Sequence, residues 1–324
     1  MFTMLGDIKI IEIANSLGGA ACTKMLGDLG AEVLKIEPPN LGDPSRLEPP
    51  FLDGIVDLDR SSSFLAYNTN KKSITLNLEA QEGLDLLFKL IPSVDVVVES
   101  YKVGYLDELG AGYSTLRKIN PRVVLVSITP FGQTGPYKDF VSSDLVTQAL
   151  GGHLITGGDS DREPMAFPDN QAAFITGRNS ALATMAAVLH QRQTGEGQQV
   201  DISEVEAFAQ VWHANRYTFT GEISGRGSGG GQANVMDSMH LQAKDGYVTL
   251  TTAGTSGADS MDAWADFFEE PLLKDTKWKS ARVRRESWRE LKDLVEGKLK
   301  QMGKYEFFQK AMEKRLVVGV VQSP

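Results

Sequence analysis

Residues Pro164–Ala207 read PMAFPDNQAAFITGRNSALATMAAVLHQRQTGEGQQVDISEVEA. A polar stretch runs into an Ala-rich pattern, then a glycine turn, a short apolar run and a second helical pattern. Leu182, Met185, Ala186 and Leu189 recur at helical spacing and predict a helix over 178–193 with that face buried. Its many Ala and Ser residues admit close approach by another backbone. Gly195 and Gly197 stop the helix. Gln198–Ile202 reads as a strand, and a further helix starts at Ser203. A loop delivered at the start of a buried helix is held rigidly, which suits chemistry.

Upstream, Ile8–Ala14 reads as a strand, Leu17-Gly18-Gly19 as a turn, Ala20–Leu29 as a helix and Ala31–Glu37 as a second strand, a βαβ unit. A dinucleotide site with Glu37 as the ribose acid would need G-x-G-x-x-G, and only Gly18-Gly19 is present, so NAD is not expected. Strands are expected at Ser73–Leu78, Asp95–Ser100 and Arg122–Ile128, with a helix at Glu79–Leu90. Near-continuous apolar strands alternating with helices predict a Rossmann-like parallel sheet in an α/β domain. Past a glycine run at Gly225–Gln232, His240–Ala243 and Tyr247–Thr252 read as a hairpin around Lys244-Asp245-Gly246. Helices follow near Ser260–Glu269, Glu286–Met302 and Tyr305–Lys314, then a strand at Val317–Val321, a smaller α+β domain. The expected organisation is a large domain over 1–225, a Gly-rich linker over 226–239 and a small domain over 240–324.

The 324 residues are 41% apolar and 23% charged, ordinary for a globular protein, and the net charge is −9. That balance disfavours nucleic acid and anionic membranes as general partners. No apolar run is long enough to span a membrane. A lone cysteine, Cys22, excludes an intramolecular disulfide and fits a reducing cytoplasm; its apolar helix makes it buried and inert. His153 reads as structural, and His190, His213 and His240 are scattered without metal-ligand spacing, so no metal is expected. Glu204 and Glu206 open a helix, where carboxylates suit the dipole, and read as structural.

The buried Ala-rich helix followed by Thr194-Gly195-x-Gly197-Gln198-x-Val200-Asp201-x-Ser203 resembles the class III CoA-transferase family. Further matching blocks are Leu26–Val33, Lys35-Ile36-Glu37-Pro38, Gly42–Arg46, Phe64–Ser73 and Phe131–Tyr137. The resemblance implies coenzyme A thioesters as substrates, an interlocked dimer, and a segment beyond Pro324 that returns to the first domain. It implies CoA contacts at Gly18, Gly19, Lys72, Tyr101, Lys102 and Lys138. The lysine pair Lys71-Lys72 reads by itself as a solvated turn rather than a phosphate contact. Ser100-Tyr101-Lys102-Val103-Gly104 stands where members carry Asn-Phe-Arg-Pro-Gly. Leu17 and Pro38 stand where members carry polar or basic contacts. Gly229, Gly230, Gly231 and Gln232 match a loop that covers the site, and read by themselves as a flexible linker.

In this family the nucleophile is an Asp whose carboxylate attacks the thioester. It precedes the first glycine of T-G-x-G by twenty-two residues and a helix-opening glycine by four; both counts land on Ala173. Alanine has no reacting group. Asp169 is the substitute nearby, but even in a continuous helix it would stand about 6 Å away, and far smaller displacements cost about a hundredfold in rate. Its alternative role is to cap the following turn. Racemase members use a His before an Asp at the place of Ser143-Asp144, plus the Asp equivalent to Ala173, so both catalytic groups are missing. The resemblance therefore implies a subunit without its own nucleophile, paired with a related active chain in a heteromer. The alternatives are a homodimeric transferase using Asp169, or a CoA-binding or structural pseudoenzyme.

Overall fold

A computed structural model describes residues 3–154, 163–210, 239–250, 260–280, 283–284 and 287–323. They fall into two units, one within Met1–Leu154 and Ala166–Arg216, the other within Ile155–Met165 and Tyr217–Pro324. The Gly229–Gln232 run, His213 and the 226–238 part of the expected linker lie outside the described residues.

In the first unit the described strands are β1 (Lys9–Ile13), β2 (Glu32–Glu37), β3 (Lys71–Thr75), β4 (Val96–Glu99), β5 (Val124–Thr129) and β6 (Gln199–Ser203). They form one parallel sheet in the order β3-β2-β1-β4-β5-β6. Both faces are covered, which is why β4 and β5 are apolar almost throughout and fully buried. One face packs Ile10, Val98 and Val126 against Cys22, Leu26 and Val188; the other packs Ile11, Val97 and Leu125 against Leu84, Leu87 and Leu116. Strand order reverses between β1 and β4, and a crevice opens beyond their C-terminal ends.

Helix α1 (Leu17–Asp28) follows β1, α2 is Ser62–Tyr67, α3 is Gln81–Leu90, α4 is Tyr105–Glu108, α5 is Tyr113–Ile119 and α6 is Asp144–Leu150. The long helix α7 runs Gln171–Thr194, so the expected polar loop before Arg178 is already helical from Gln171 onward. Its buried face is also not the expected one. Leu182 and Leu189 are 72% and 58% exposed, while Thr176, Gly177, Ser180, Ala181, Thr184 and Ala187 are buried. Packing against α1 imposes this choice. A Cβ on Gly177 would stand 2.3 Å from Ala21 Cβ and 2.9 Å from the backbone N of Cys22. Only small residues fit so close a crossing. The buried hydroxyls of Thr176, Ser180 and Thr184 donate to carbonyls four residues back at 2.7–2.8 Å, so they cost little to bury.

The start of α7 is capped from another helix. Asp144 Oδ1 accepts from Ala172 N at 2.9 Å. Asn170 is the N-cap at φ 52° and makes no side-chain cap bond. Asp169, expected as the cap, does not serve; it precedes the helix at φ 59°.

The second unit pairs β7 (Met239–Ala243) with β8 (Gly246–Leu250) and β8 with β9 (Val318–Val320), all antiparallel. Helices α9 (Ser260–Phe268), α10 (Trp288–Leu299) and α11 (Lys304–Glu313) pack there around Trp264, Trp278, Phe268 and Phe307. This is the expected α+β arrangement.

Candidate active site

The crevice at the C-terminal ends of β1 to β4 is a cleft of about 460 Å³, lined among others by Asn15, Glu37, Pro38, Leu78, Tyr101 and Tyr105. Ser100 Oγ accepts from Asn15 N and Ser16 N, both at 2.9 Å, which ties the β1–α1 turn to the end of β4. Gly19 is needed in that turn, because a Cβ there would stand 2.4 Å from Ala14 Cβ. The rings of Tyr101 and Tyr105 lie 4.5 Å apart, an aromatic wall for the cleft. Burial pushes the Tyr101 hydroxyl up to about 12, so it stays a neutral donor.

Glu37 is committed within the fold. Arg46 grips it with two bonds, of 2.7 and 2.9 Å, and Ser73 Oγ and Asp43 N also donate to it. Burial opposes its ionisation, but these donors hold the carboxyl down to about 2. Arg46 in turn lies 3.6 Å over the Phe64 ring.

Two lysines expected as a pre-strand pair are both inside β3, so they point to opposite faces. Lys71 is buried against Glu12 at 2.8 Å, and Lys35 joins Glu12 to Asp43 at 2.5 Å each. Burial, with Lys35 nearby, brings Lys71 down to about 8 against the pull of Glu12. Lys72 is exposed and pairs with Glu32 at 2.9 Å. Both lie at the N-terminal ends of their strands, whereas the cleft is at the C-terminal ends. Tyr101 is in the cleft wall. Lys102 follows it, exposed and paired with Glu108 at 3.0 Å. Lys138 is exposed beside the Phe131, Tyr137 and Phe140 aromatic group. The fold therefore brings Gly18, Gly19, Tyr101 and Lys102 to one end of the sheet and leaves Lys72 at the other.

Ala173 is half-buried in the first turn of α7. Asp169 is exposed and lines a separate cavity of about 750 Å³ with Met25, Pro50, Tyr67 and Phe174. Because it lies outside the helix, it does not share a helical face with position 173.

Glu204, read from sequence as a structural acid, is set apart by its surroundings. It opens α8 (Glu204–Ala209) directly after β6, again at a strand's C-terminal end. Its Oε1 lies 3.2 Å from where a Cβ on Gly18 would be, and the Thr176 methyl lies 3.3 Å from the same point. Among the described residues nothing donates to this carboxyl or pairs with it. Burial first, and the Asp144 carboxylate second, push it up to about 7. Glu206, by contrast, is exposed. The signal available in the sequence was an acid just past a buried-sheet strand, opposite a glycine turn.

The remaining candidates are quiet. Cys22 is buried and burial pushes its thiol up to about 12. His153 stacks on Phe167 at 3.8 Å. Among the described residues no group of three or more His, Cys, Asp or Glu side chains could hold a metal ion, and no helix is long and apolar enough to cross a membrane.

A family profile described as CoA-transferase family III matches residues 5–324, and the chain belongs to that family. The succinate–glutarate CoA-transferase of Agrobacterium fabrum is 35% identical over 251 residues, covering 76% of this chain and 62% of that protein. Subunit BbsE of the succinyl-CoA:(R)-benzylsuccinate CoA-transferase of Thauera aromatica is 34% identical over 282 residues, covering 83% and 66%. The chain thus spans less than two thirds of the length of these two relatives. The crystal structure of a CAIB/BAIF family protein from Brucella suis superposes with a TM-score of 0.85 at 31% identity, over 100% of this chain and 85% of that one.

Proposed function

We propose that this protein moves coenzyme A between an acyl-CoA thioester such as succinyl-CoA and a free carboxylic acid. The observation that carries the reading is the family match over residues 5–324, joined to an aromatic-walled cleft at the reversal point of a parallel sheet. Relatives whose names specify succinyl-CoA support that donor. In this reading Tyr101 and Lys102 contact CoA, Gly18 and Gly19 let it approach the β1–α1 turn, and Lys138 offers charge at the rim. Ala173 supplies nothing to the covalent step, so the chain needs another carboxylate. Asp169, solvated and outside α7, suits that role poorly.

A second reading gives the covalent step to a related chain that carries Asp at this position, with the present chain as a structural subunit. Ala173 itself favours it, as does the likeness to a named subunit of a benzylsuccinate enzyme. The exposed apolar stripe of Phe174, Leu182 and Leu189 is a surface that such a partner would cover. A reducing cytoplasm suits either form.

The test is CoA exchange from succinyl-CoA to a panel of dicarboxylic acids, using the full-length protein alone and in its native assembly. Transfer by the protein alone supports the first reading. Transfer only with a co-purified related chain supports the second. CoA binding without transfer in either form would reduce the protein to a CoA-binding pseudoenzyme. In calorimetry, Tyr101→Ala is expected to weaken CoA binding about tenfold, and Lys72→Ala tests whether the phosphate end of CoA reaches the opposite end of β3.

A further inference from the structure

Resting on the reading of the chain as a CoA-transferase, we infer that Glu204 carries the covalent step that Ala173 cannot. Residues 173 and 176 are three apart on α7 and share a helical face. The Glu204 carboxyl comes from a different element, α8, and its Oε1 and the Thr176 methyl lie 3.2 and 3.3 Å from the point that a Cβ on Gly18, in the first turn of α1, would occupy. Gly18 has no side chain to shield it. As a whole residue Glu204 is half-buried, neither sealed in the core nor fully exposed.

The neighbouring carboxylates are spent or misplaced. Asp144 accepts from Ala172 N at 2.9 Å and Gln148 Nε2 at 2.5 Å. Asp201 accepts from Gln133 N with both oxygens at 3.0 Å. Asp169 is out in solvent. Among the described residues Glu204 has no donor to blunt it, and a carboxylate made more basic by its surroundings is a stronger nucleophile. The first turn of α1, a 12-residue helix, favours the negative charge that develops beside it.

The chemistry closes on itself. A Glu204 oxygen attacks the thioester carbonyl carbon; the C–S bond breaks, CoA leaves as thiolate with the electron pair, and an acyl–glutamyl anhydride remains. The thiolate attacks the glutamyl carbonyl, releasing the acyl group as a carboxylate and leaving glutamyl-CoA. The incoming carboxylate attacks this thioester and expels CoA thiolate. That thiolate attacks the incoming acyl carbonyl, giving the new acyl-CoA and the original Glu204 carboxylate. No oxidant, reductant or net proton is needed.

The experiment incubates the full-length protein, in its native assembly, with succinyl-CoA, quenches with hydroxylamine and maps the hydroxamate by peptide mass spectrometry. The modification is expected at Glu204. Glu204→Gln is expected to lose it, to keep CoA binding, to lose no thermal stability, and to lower exchange at least about a thousandfold. Glu206→Gln is the unaffected control. Glu204→Asp guards against misfolding: it keeps the charge, withdraws the carboxyl by one methylene, and is expected to slow exchange about a hundredfold. A hydroxamate at Asp144, Asp169 or a partner chain, or wild-type exchange in either Glu204 variant, overturns the assignment while leaving the transferase reading intact. Failure of the wild-type assembly to bind CoA or exchange it overturns the transferase reading, and this inference with it.

Discussion

Replacing Gly177 by Ala sets two physical effects against each other. Within α7, Ala is the better helix former by about 1 kcal/mol. At the α1 crossing, the added methyl would stand 2.3 Å from Ala21 Cβ and 2.9 Å from the Ala21 carbonyl carbon and Cys22 N. Carbon atoms rest at about 3.5–4.0 Å, so the helices must part by roughly an ångström or more. Two of the three atoms met are backbone and cannot rotate away. Overpacking of this kind costs about 1–3 kcal/mol, and the backbone contact puts it at the upper end. The net expectation is a loss of about 2 kcal/mol, or a fall in Tm of roughly 4–8 °C for a unit of this size. Gly297→Ala is the matched control: this glycine is inside α10, nothing lies within 4 Å of its added methyl, and stability should rise by up to about 1 kcal/mol. Thermal melts by circular dichroism read both. An unchanged or raised Tm in Gly177→Ala would refute the close crossing that orients the start of α7.

Three further outcomes are expected. Arg46→Ala should cost about 3 kcal/mol in urea denaturation, since it strips a buried carboxylate of its cation. In the wild type Glu37 is held below its ordinary value, so its contribution is present above about 4.5 and lost as pH falls towards 2; in the variant that loss should begin at higher pH. Cys22 should resist thiol reagents in the native protein and react only on unfolding, because its thiol is buried and raised to about 12; rapid native labelling would contradict its placement. Glu204 is raised, so its ionisation costs stability: the cost is absent below about 4.5 and complete above about 7. The Tm advantage of Glu204→Gln over wild type should therefore grow between pH 5 and pH 8, and a pH-independent difference would mean the carboxyl is not confined beside Gly18 and Asp144.

Local pattern carried much of this protein. Apolar runs long enough for a strand, separated by helical repeats, specify a parallel sheet because such strands are buried on both faces, and β1, β2, β4, β5 and β6 lie where those runs predict them. The Asp245-Gly246 signal likewise specified the β7–β8 hairpin. The motif blocks pointed to the family, and the two spacings that meet at Ala173 are the ground for expecting no nucleophile there. Tertiary structure decided which face of α7 is buried. Hydrophobicity favours Leu182 and Leu189, but a helix crossing with no room for a Cβ selects Gly177, Ser180 and Thr184 instead. It also decided that Lys71 and Lys72 part company, since a strand turns adjacent side chains to opposite faces, one to a buried carboxylate and one to solvent. Glu204 illustrates the limit most clearly. In sequence it is an acid at a helix start. Its proximity to Gly18 and Thr176, far away along the chain, exists only once β6 and α7 have brought α8 against α1, because a carboxyl's reactivity is set by what surrounds it in space.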